Sequence, residues 1–126
     1  MKKIIETSAA PGAIGPYSQA VDAGAFVYTS GQLPIDPVTG QMPADITGQT
    51  KQSLENVSAN LEAAGLSMKN VVKTMVFLAD MDDFQTMNEV YSQYFSAPYP
   101  ARSAVAVKTL PKNALVEIEV IAARAE

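Results

Sequence analysis

Hydrophobic positions along the chain follow two periods, one typical of strands and one typical of helices. Short runs rich in β-branched and aromatic residues, bounded by Gly or Pro, predict strands. The longest of them, residues 71–78, is apolar at most positions and is typical of a strand buried on most of its surface. Together these patterns predict five strands, over residues 3–5, 26–30, 71–78, 102–107 and 115–123.

Two segments carry the helical period. Asp45 is a suitable N-cap for a helix that runs to Ala64, and Gly65 stands at the usual C′ position. The apolar stripe of this helix is Leu54, Val57, Leu61 and Ala64. Asp82 or Asp83 begins a second helix with a broad apolar face, which Pro98 and Pro100 end. That face is formed by Phe84, Met87, Val90, Tyr91, Tyr94 and Phe95.

The predicted order, β-β-α-β-α-β-β, indicates an α+β fold. We expect one domain over residues 1–126, with one mostly antiparallel sheet and two helices packed on one of its faces. A chain of 126 residues supplies no third layer for the opposite sheet face. Because a large exposed apolar face usually marks a contact surface, an oligomer is expected.

The amino-acid composition limits the reactions that the protein can catalyse. The chain has no cysteine and no histidine, which excludes thiolate nucleophiles, disulfides, Cys-based metal sites and a histidine base. Its net charge of −4 argues against nucleic-acid binding, which needs a basic surface. No signal-peptide pattern and no apolar run of membrane-spanning length is present, so we expect a cytoplasmic protein without a membrane partner.

Candidate catalytic residues lie in the last quarter of the chain. Arg102 and Glu117 interrupt two otherwise apolar strand patterns, and a guanidinium can bind a carboxylate through two parallel hydrogen bonds. Ala104, on the same face as Arg102, would leave room for a ligand. The alternative is a solvated strand face or a surface ion pair worth about 0–1 kcal/mol. The sequence does not decide whether Arg102 and Glu117 touch.

Weaker candidates precede them. Gly31 would let a backbone N–H approach a ligand, with the hydroxyls of Tyr17 and Ser30 nearby. The alternative is two turns that Gly and Pro favour in any protein. Asn88 is a third candidate, an amide among apolar helix positions; taken alone, its pattern favours an ordinary amide on the helix surface.

Together, these segments resemble the Rid family of reactive intermediate deaminases, also called the YjgF family. The resemblance covers nearly the whole chain and rests on several spaced motifs in order. These motifs are residues 10–20 (APGAIGPYSQA), 28–34 (YTSGQLP), 56–65 (N…L…AG), and the C-terminal set ARS at 101–103, LPKNA at 110–114 and VEIE at 116–119.

The resemblance implies a chorismate-mutase-like α+β fold and a homotrimer with clefts between adjacent subunits. It also implies hydrolysis of enamines and imines such as 2-aminoacrylate and 2-aminocrotonate to 2-oxo acids and ammonia. An iminium carbon is already electrophilic, so neither a metal nor another cofactor is expected.

Site residues carry over from the same resemblance. Arg102 matches the arginine that holds the small carboxylate substrate, and Glu117 matches the acid that positions or activates water. The substrate pocket would further contain Tyr17, Ser30, Gly31 and Asn88. One departure is Ala104, where many family members have a cysteine, and it leaves open which substrate side chain is accepted.

Three other functions stay open. A non-catalytic sensor of 2-oxo acids would use the same Arg102. An RNA-acting translation inhibitor is disfavoured by the acidic charge and by the lack of histidine and of a basic aromatic stripe. A chaperone-like role would leave no mark in the sequence.

Overall fold

The computed structural model describes residues 2–125 and shows a six-stranded sheet covered on one face by two α-helices. Both helices pack on one hydrophobic core with the sheet. The α+β class and the two helices are therefore confirmed. The elements in chain order are β1 (Lys3–Ile5), β2 (Ala20–Asp22), β3 (Phe26–Thr29), α1 (Ile46–Ala63), β4 (Val71–Leu78), α2 (Phe84–Tyr91), β5 (Ala101–Ala106) and β6 (Val116–Ala123).

The strand order across the sheet is β1-β2-β3-β6-β4-β5. Every neighbouring pair is antiparallel except β4 and β5, which run parallel. β5 and β6 follow one another along the chain but do not pair as a hairpin, because β4 lies between them. Helix α2 carries the chain back across the sheet, so β5 adds in parallel to one edge of β4. β6 then occupies the other edge of β4.

Two element boundaries also differ from the prediction. β2 has only three residues and no apolar run of its own, and the sequence pattern did not reveal it. Helix α2 ends at Tyr91 rather than near the prolines, because the N–H groups of Gln93 and Tyr94 bond three residues back and tighten the chain into a turn. Phe95 lies beyond the helix but still packs on Tyr91, with ring centroids 4.5 Å apart.

The core lies between the helices and the sheet. Leu54, Val57 and Leu61 of α1 are fully buried, as the predicted stripe requires. Asp45 caps this helix by accepting a 2.8 Å hydrogen bond from the Gly48 N–H, and Gly65 ends it with φ at 79°. On β6 the alternate residues that pack against the helices are Val116, Ile118, Val120 and Ala122.

The opposite sheet face is not covered by any helix of residues 2–125. Phe26 and Tyr28 of β3 and Val105 of β5 are each more than 40% exposed there. Glu117 and Glu119 alternate with the core residues of β6 and therefore lie on this same uncovered face. None of the helices in the described chain is long and apolar enough to cross a membrane.

Candidate active site

Arg102 lies on β5, the edge strand, and faces the helix side of the sheet. Its Nη1 donates a 2.6 Å hydrogen bond to Asn88 Oδ1 on α2. Its guanidinium lies over the rings of Tyr91, at 4.7 Å, and Phe84, at 5.4 Å, which are distances of cation–π contact. The amide of Asn88 is thus directed at the predicted arginine, and its side chain is not simply solvated on a helix surface.

The sequence pattern does not reveal that two aromatic rings pack against Arg102. The helical period predicts Phe84 and Tyr91 only as members of the apolar helix face. In the structure they form, with Asn88, an i, i+4, i+7 row that faces the guanidinium. Tyr91 is fixed in turn, because its hydroxyl shares a 2.9 Å hydrogen bond with Thr74 Oγ1 in the core. We call Arg102, Asn88, Phe84 and Tyr91 the arginine half-site.

Glu117 lies against a glycine on the uncovered face of the sheet. The backbone of Gln32 pairs with Ile118, and this bridge brings Gly31 beside the Glu117 side chain. A Cβ placed on Gly31 would come within 2.8 Å of Glu117 Cδ and 3.1 Å of Cγ. Gly31 has no left-handed φ, so its role is to leave space for the carboxyl group rather than to form a turn.

The environment of Glu117 changes its acidity. Partial burial raises the pKa of this carboxyl group above its ordinary value of 4.5, and the negative charge of Glu119 raises it further. Glu119 stands two residues along β6 and therefore on the same face. A carboxyl group with a raised pKa can both accept and return a proton nearer to neutral pH than an ordinary glutamate.

Ser30 and Tyr17 lie around Gly31 in different roles. The Ser30 hydroxyl donates a 2.6 Å hydrogen bond to the carbonyl of Ser18, so towards a ligand it can act only as an acceptor. Tyr17 is about half exposed and borders a cavity of about 630 Å³ that Gly31 also lines. We call Glu117, Gly31, Ser30 and Tyr17 the glutamate half-site.

Lys112 borders the same cavity and was not singled out from the sequence. It has a left-handed backbone, with φ at 57°, as does its neighbour Asn113. A lysine with a left-handed backbone conformation is uncommon, since non-glycine residues rarely adopt it. The LPKNA motif was itself visible in the sequence, but nothing in the local pattern indicated which way the turn would present Lys112.

The two half-sites do not meet within one chain. On β4, Thr74 pairs with Arg102 of β5 and Phe77 pairs with Glu117 of β6. Thr74 and Phe77 are an odd number of residues apart on this strand, so their side chains point to opposite faces. The guanidinium and the carboxylate are therefore separated by the sheet itself, which answers the question that the sequence left open.

No group of three or more acidic side chains in residues 2–125 is arranged to hold a metal ion. A second cavity, of about 280 Å³, lies between the end of α2 and the turn before β4. None of the predicted site residues lines it.

The fold and the half-sites define an α+β protein that holds a guanidinium on one sheet face and a carboxylate on the other. The profile of the family described as Endoribonuclease L-PSP, also called the YjgF/RidA family, matches residues 7–124. The chain belongs to this family, as the sequence motifs predicted.

Named relatives match over the full length of the chain. The 2-iminobutanoate/2-iminopropanoate deaminase of Escherichia coli strain K12 is 52% identical, covering 98% of this chain and 99% of its own. The protein of the same name from Salmonella typhimurium is 53% identical over the same shares. The crystal structure of E. coli TdcF with bound serine has a TM-score of 0.95 and 56% identity, covering 98% of this chain and 99% of that one.

Proposed function

We propose that this protein hydrolyses reactive enamines and imines of 2-oxo acids, such as 2-aminoacrylate and 2-aminocrotonate, to the 2-oxo acid and ammonia. The observation that carries the proposal is the pair of half-sites, which offer a supported arginine for a carboxylate and a carboxyl group with a raised pKa for water. The names of the full-length relatives support the same reaction.

Substrate binding is assigned to the arginine half-site. An arginine has five N–H donors, and Asn88 accepts from only one of its terminal nitrogens. The remaining donors can bind both oxygens of a carboxylate. Because the rings of Phe84 and Tyr91 fix the plane of the guanidinium, the substrate acid would be oriented as well as attracted.

The chemical step is assigned to Glu117. An enamine first takes a proton at its terminal carbon and becomes an iminium ion. Water then adds to the iminium carbon while the Glu117 carboxylate accepts one of its protons. Return of that proton to nitrogen lets the carbon–nitrogen bond break, and ammonia leaves. The remaining hydroxyl becomes the carbonyl group of the 2-oxo acid by releasing its proton to solvent, which balances the proton that the enamine took from solvent at the start. The sum is one water consumed and one ammonia released.

The proposed assembly is a homotrimer with a pocket at each contact between subunits. Two features support an assembly. The half-sites lie on opposite faces of one sheet, so a complete pocket requires the arginine half-site of one copy and the glutamate half-site of another. The uncovered sheet face also exposes large apolar side chains, which usually marks an interface. The expected cytoplasmic location, without nucleic-acid or membrane partners, is part of this proposal.

The test is to measure ammonia and 2-oxo acid released from 2-aminoacrylate that a separate enzyme generates from serine. We expect the parent protein to accelerate the release and Glu117→Gln to lose the acceleration. If the parent binds 2-oxobutanoate but does not accelerate release, the protein is a carboxylate sensor and the deaminase proposal fails. Neither the sensor nor the RNA-acting alternative is favoured by the full-length relatives named as deaminases.

A further inference from the structure

In the part of the chain that the structure describes, the peptide group between Ser30 and Gly31 is held by a hydrogen bond to its carbonyl oxygen only. The Ser30 carbonyl accepts a 3.0 Å hydrogen bond from the side chain of Gln32, through Nε2. On the other side of the same peptide, the Gly31 N–H has no hydrogen-bond acceptor among residues 2–125. In a trans peptide the carbonyl and the N–H point in opposite directions, so whatever fixes the carbonyl also aims the N–H.

Gln32 is itself held by the buried polar face of α1. Its side chain is only 5% exposed, and its Oε1 accepts a 3.1 Å hydrogen bond from Asn60 Nδ2. Asn60 is fully buried, and the same Nδ2 bonds the carbonyl of Asn56 one helical turn earlier. The main chain of Gln32 is anchored independently, through the 2.8 Å and 3.3 Å hydrogen bonds of its bridge to Ile118.

We propose that Gln32 is a positioning residue for the reaction. Its amide links the core of α1 to the Ser30–Gly31 peptide and directs the Gly31 N–H to an oxygen of the bound acid beside the Glu117 carboxyl group. A backbone N–H that is oriented before the substrate arrives holds the bound acid, and with it the iminium carbon, in position for attack by water. The kinetic part of this inference rests on the proposed deaminase function, whereas the geometry of the peptide does not.

Gln49 provides a matched control for Gln32. It is also a glutamine with 5% exposure, and its side chain likewise makes two hydrogen bonds, in this case both to main-chain groups: the carbonyl of Pro43 at 2.9 Å and the N–H of Leu115 at 2.8 Å. Gln32→Met and Gln49→Met each remove one buried amide and retain a chain of similar length. Both should lower the melting temperature, but only Gln32→Met releases the Ser30 carbonyl.

A single NMR signal reports on this peptide directly. The sequence contains one Ser-Gly pair, Ser30–Gly31, so carbon-13 in the serine carbonyl and nitrogen-15 in glycine select that peptide alone in cell-free synthesis. We expect Gln32→Met to move the signal and Gln49→Met to leave it in place. In the parent, 2-oxobutanoate should shift the Gly31 N–H. An unmoved signal in Gln32→Met overturns the inference, whether or not the protein is a deaminase.

Kinetics test the consequence for the reaction. If the parent hydrolyses 2-aminoacrylate, Gln32→Met should lower kcat about 10- to 100-fold, since misplacing a bound reactant by about 1 Å can cost about 100-fold in rate. KM should change little, because Arg102 still binds the carboxylate. Gln49→Met should retain kcat within about 3-fold. Equal losses of kcat in the two variants would contradict the positioning role. If the parent protein shows no turnover, the deaminase proposal is refuted. The NMR experiment alone then tests whether Gln32 positions the Gly31 N–H.

Discussion

Asn88 Oδ1 and Arg102 Nη1 lie 2.6 Å apart and form the hydrogen bond that joins α2 to the edge strand β5. The bond holds one terminal nitrogen of the guanidinium, and the ring of Tyr91 lies under the same group at 4.7 Å. Asn88 therefore orients the arginine that is proposed to bind the substrate, while the charge itself belongs to Arg102.

Asn88→Ala should weaken substrate binding more than it slows the chemical step. Hydrogen bonds to charged groups contribute about 1.5–3 kcal/mol, which predicts a fall in kcat/KM of about 10- to 100-fold, mostly through KM. Glu89→Ala is the neighbouring control, because Glu89 is exposed on the same helix. The kcat and KM of both variants should be measured by steady-state kinetics. A parental KM in Asn88→Ala would contradict the role of Asn88 in orienting Arg102.

Arg102→Ala should abolish activity and leave the protein folded. Removing the guanidinium from a carboxylate complex costs about 2–5 kcal/mol, or roughly 30- to 5,000-fold in kcat/KM. Arg102 is partly exposed and packs on the outside of Tyr91, so the core does not depend on it. Activity and the circular dichroism melting curve should be measured together. Rates comparable to the parent would remove Arg102 from the site.

Mixing two inactive variants tests whether the pocket is shared between subunits. Arg102→Ala retains the glutamate half-site, and Glu117→Gln retains the arginine half-site. If each pocket takes one half-site from each of two copies, equal co-assembly should restore about one quarter of the parent activity. Each variant refolded alone is the control. No recovery in mixed oligomers, verified by a mass tag on one variant, would contradict a shared pocket.

The sequence predicted the helix α1 well, because its ends and its buried stripe are encoded locally. Asp45 caps it and Gly65 ends it, as expected. The alternation on β6 likewise predicted which residues face the helices. Strand pairing was not predicted in the same way: β5 and β6 each carry a pattern that fits several neighbours, and only the packing of α2 places β5 beside β4.

The candidate site was predicted in composition but not in arrangement. Arg102 and Glu117 were visible as charges within apolar strands, yet their placement on opposite faces depends on the register of both strands with β4. Gln32 gave no signal, because a glutamine after a glycine is ordinary in a loop. Its importance comes from contacts with Asn60, which lies 28 residues further along the chain.

Glu119 should add to the effect of burial in raising the pH at which activity is lost in acid. The proposed base is the ionised form of Glu117, so the rate falls as pH drops through its raised pKa. Glu119→Gln removes a nearby negative charge and lowers this pKa, which shifts the acidic limb of the pH–rate profile to lower pH. Glu62→Gln, an exposed change of equal charge on α1, should leave the limb in place. A limb unmoved by Glu119→Gln, or moved to higher pH, would contradict this role of Glu117.

Gly31→Ala should inactivate the protein through the side chain of Glu117. The added methyl group would lie within 2.8 Å of Glu117 Cδ, so the carboxyl group must move away from its present position. Crowding of this kind typically costs about 1–3 kcal/mol of folding free energy.

Gly12→Ala is the matched change for that experiment. A Cβ at Gly12 meets nothing within 4 Å, and the φ of Gly12 is not left-handed. The free energy of unfolding of Gly12→Ala should therefore differ from that of the parent by less than about 1 kcal/mol. Urea unfolding and the deaminase assay should be run on both variants. Because Glu117 is displaced only by the methyl group at residue 31, Gly31→Ala should lose activity even where it is fully folded. A folded Gly31→Ala protein with parental kcat would show that the observed position of the Glu117 carboxyl group is not required for the reaction.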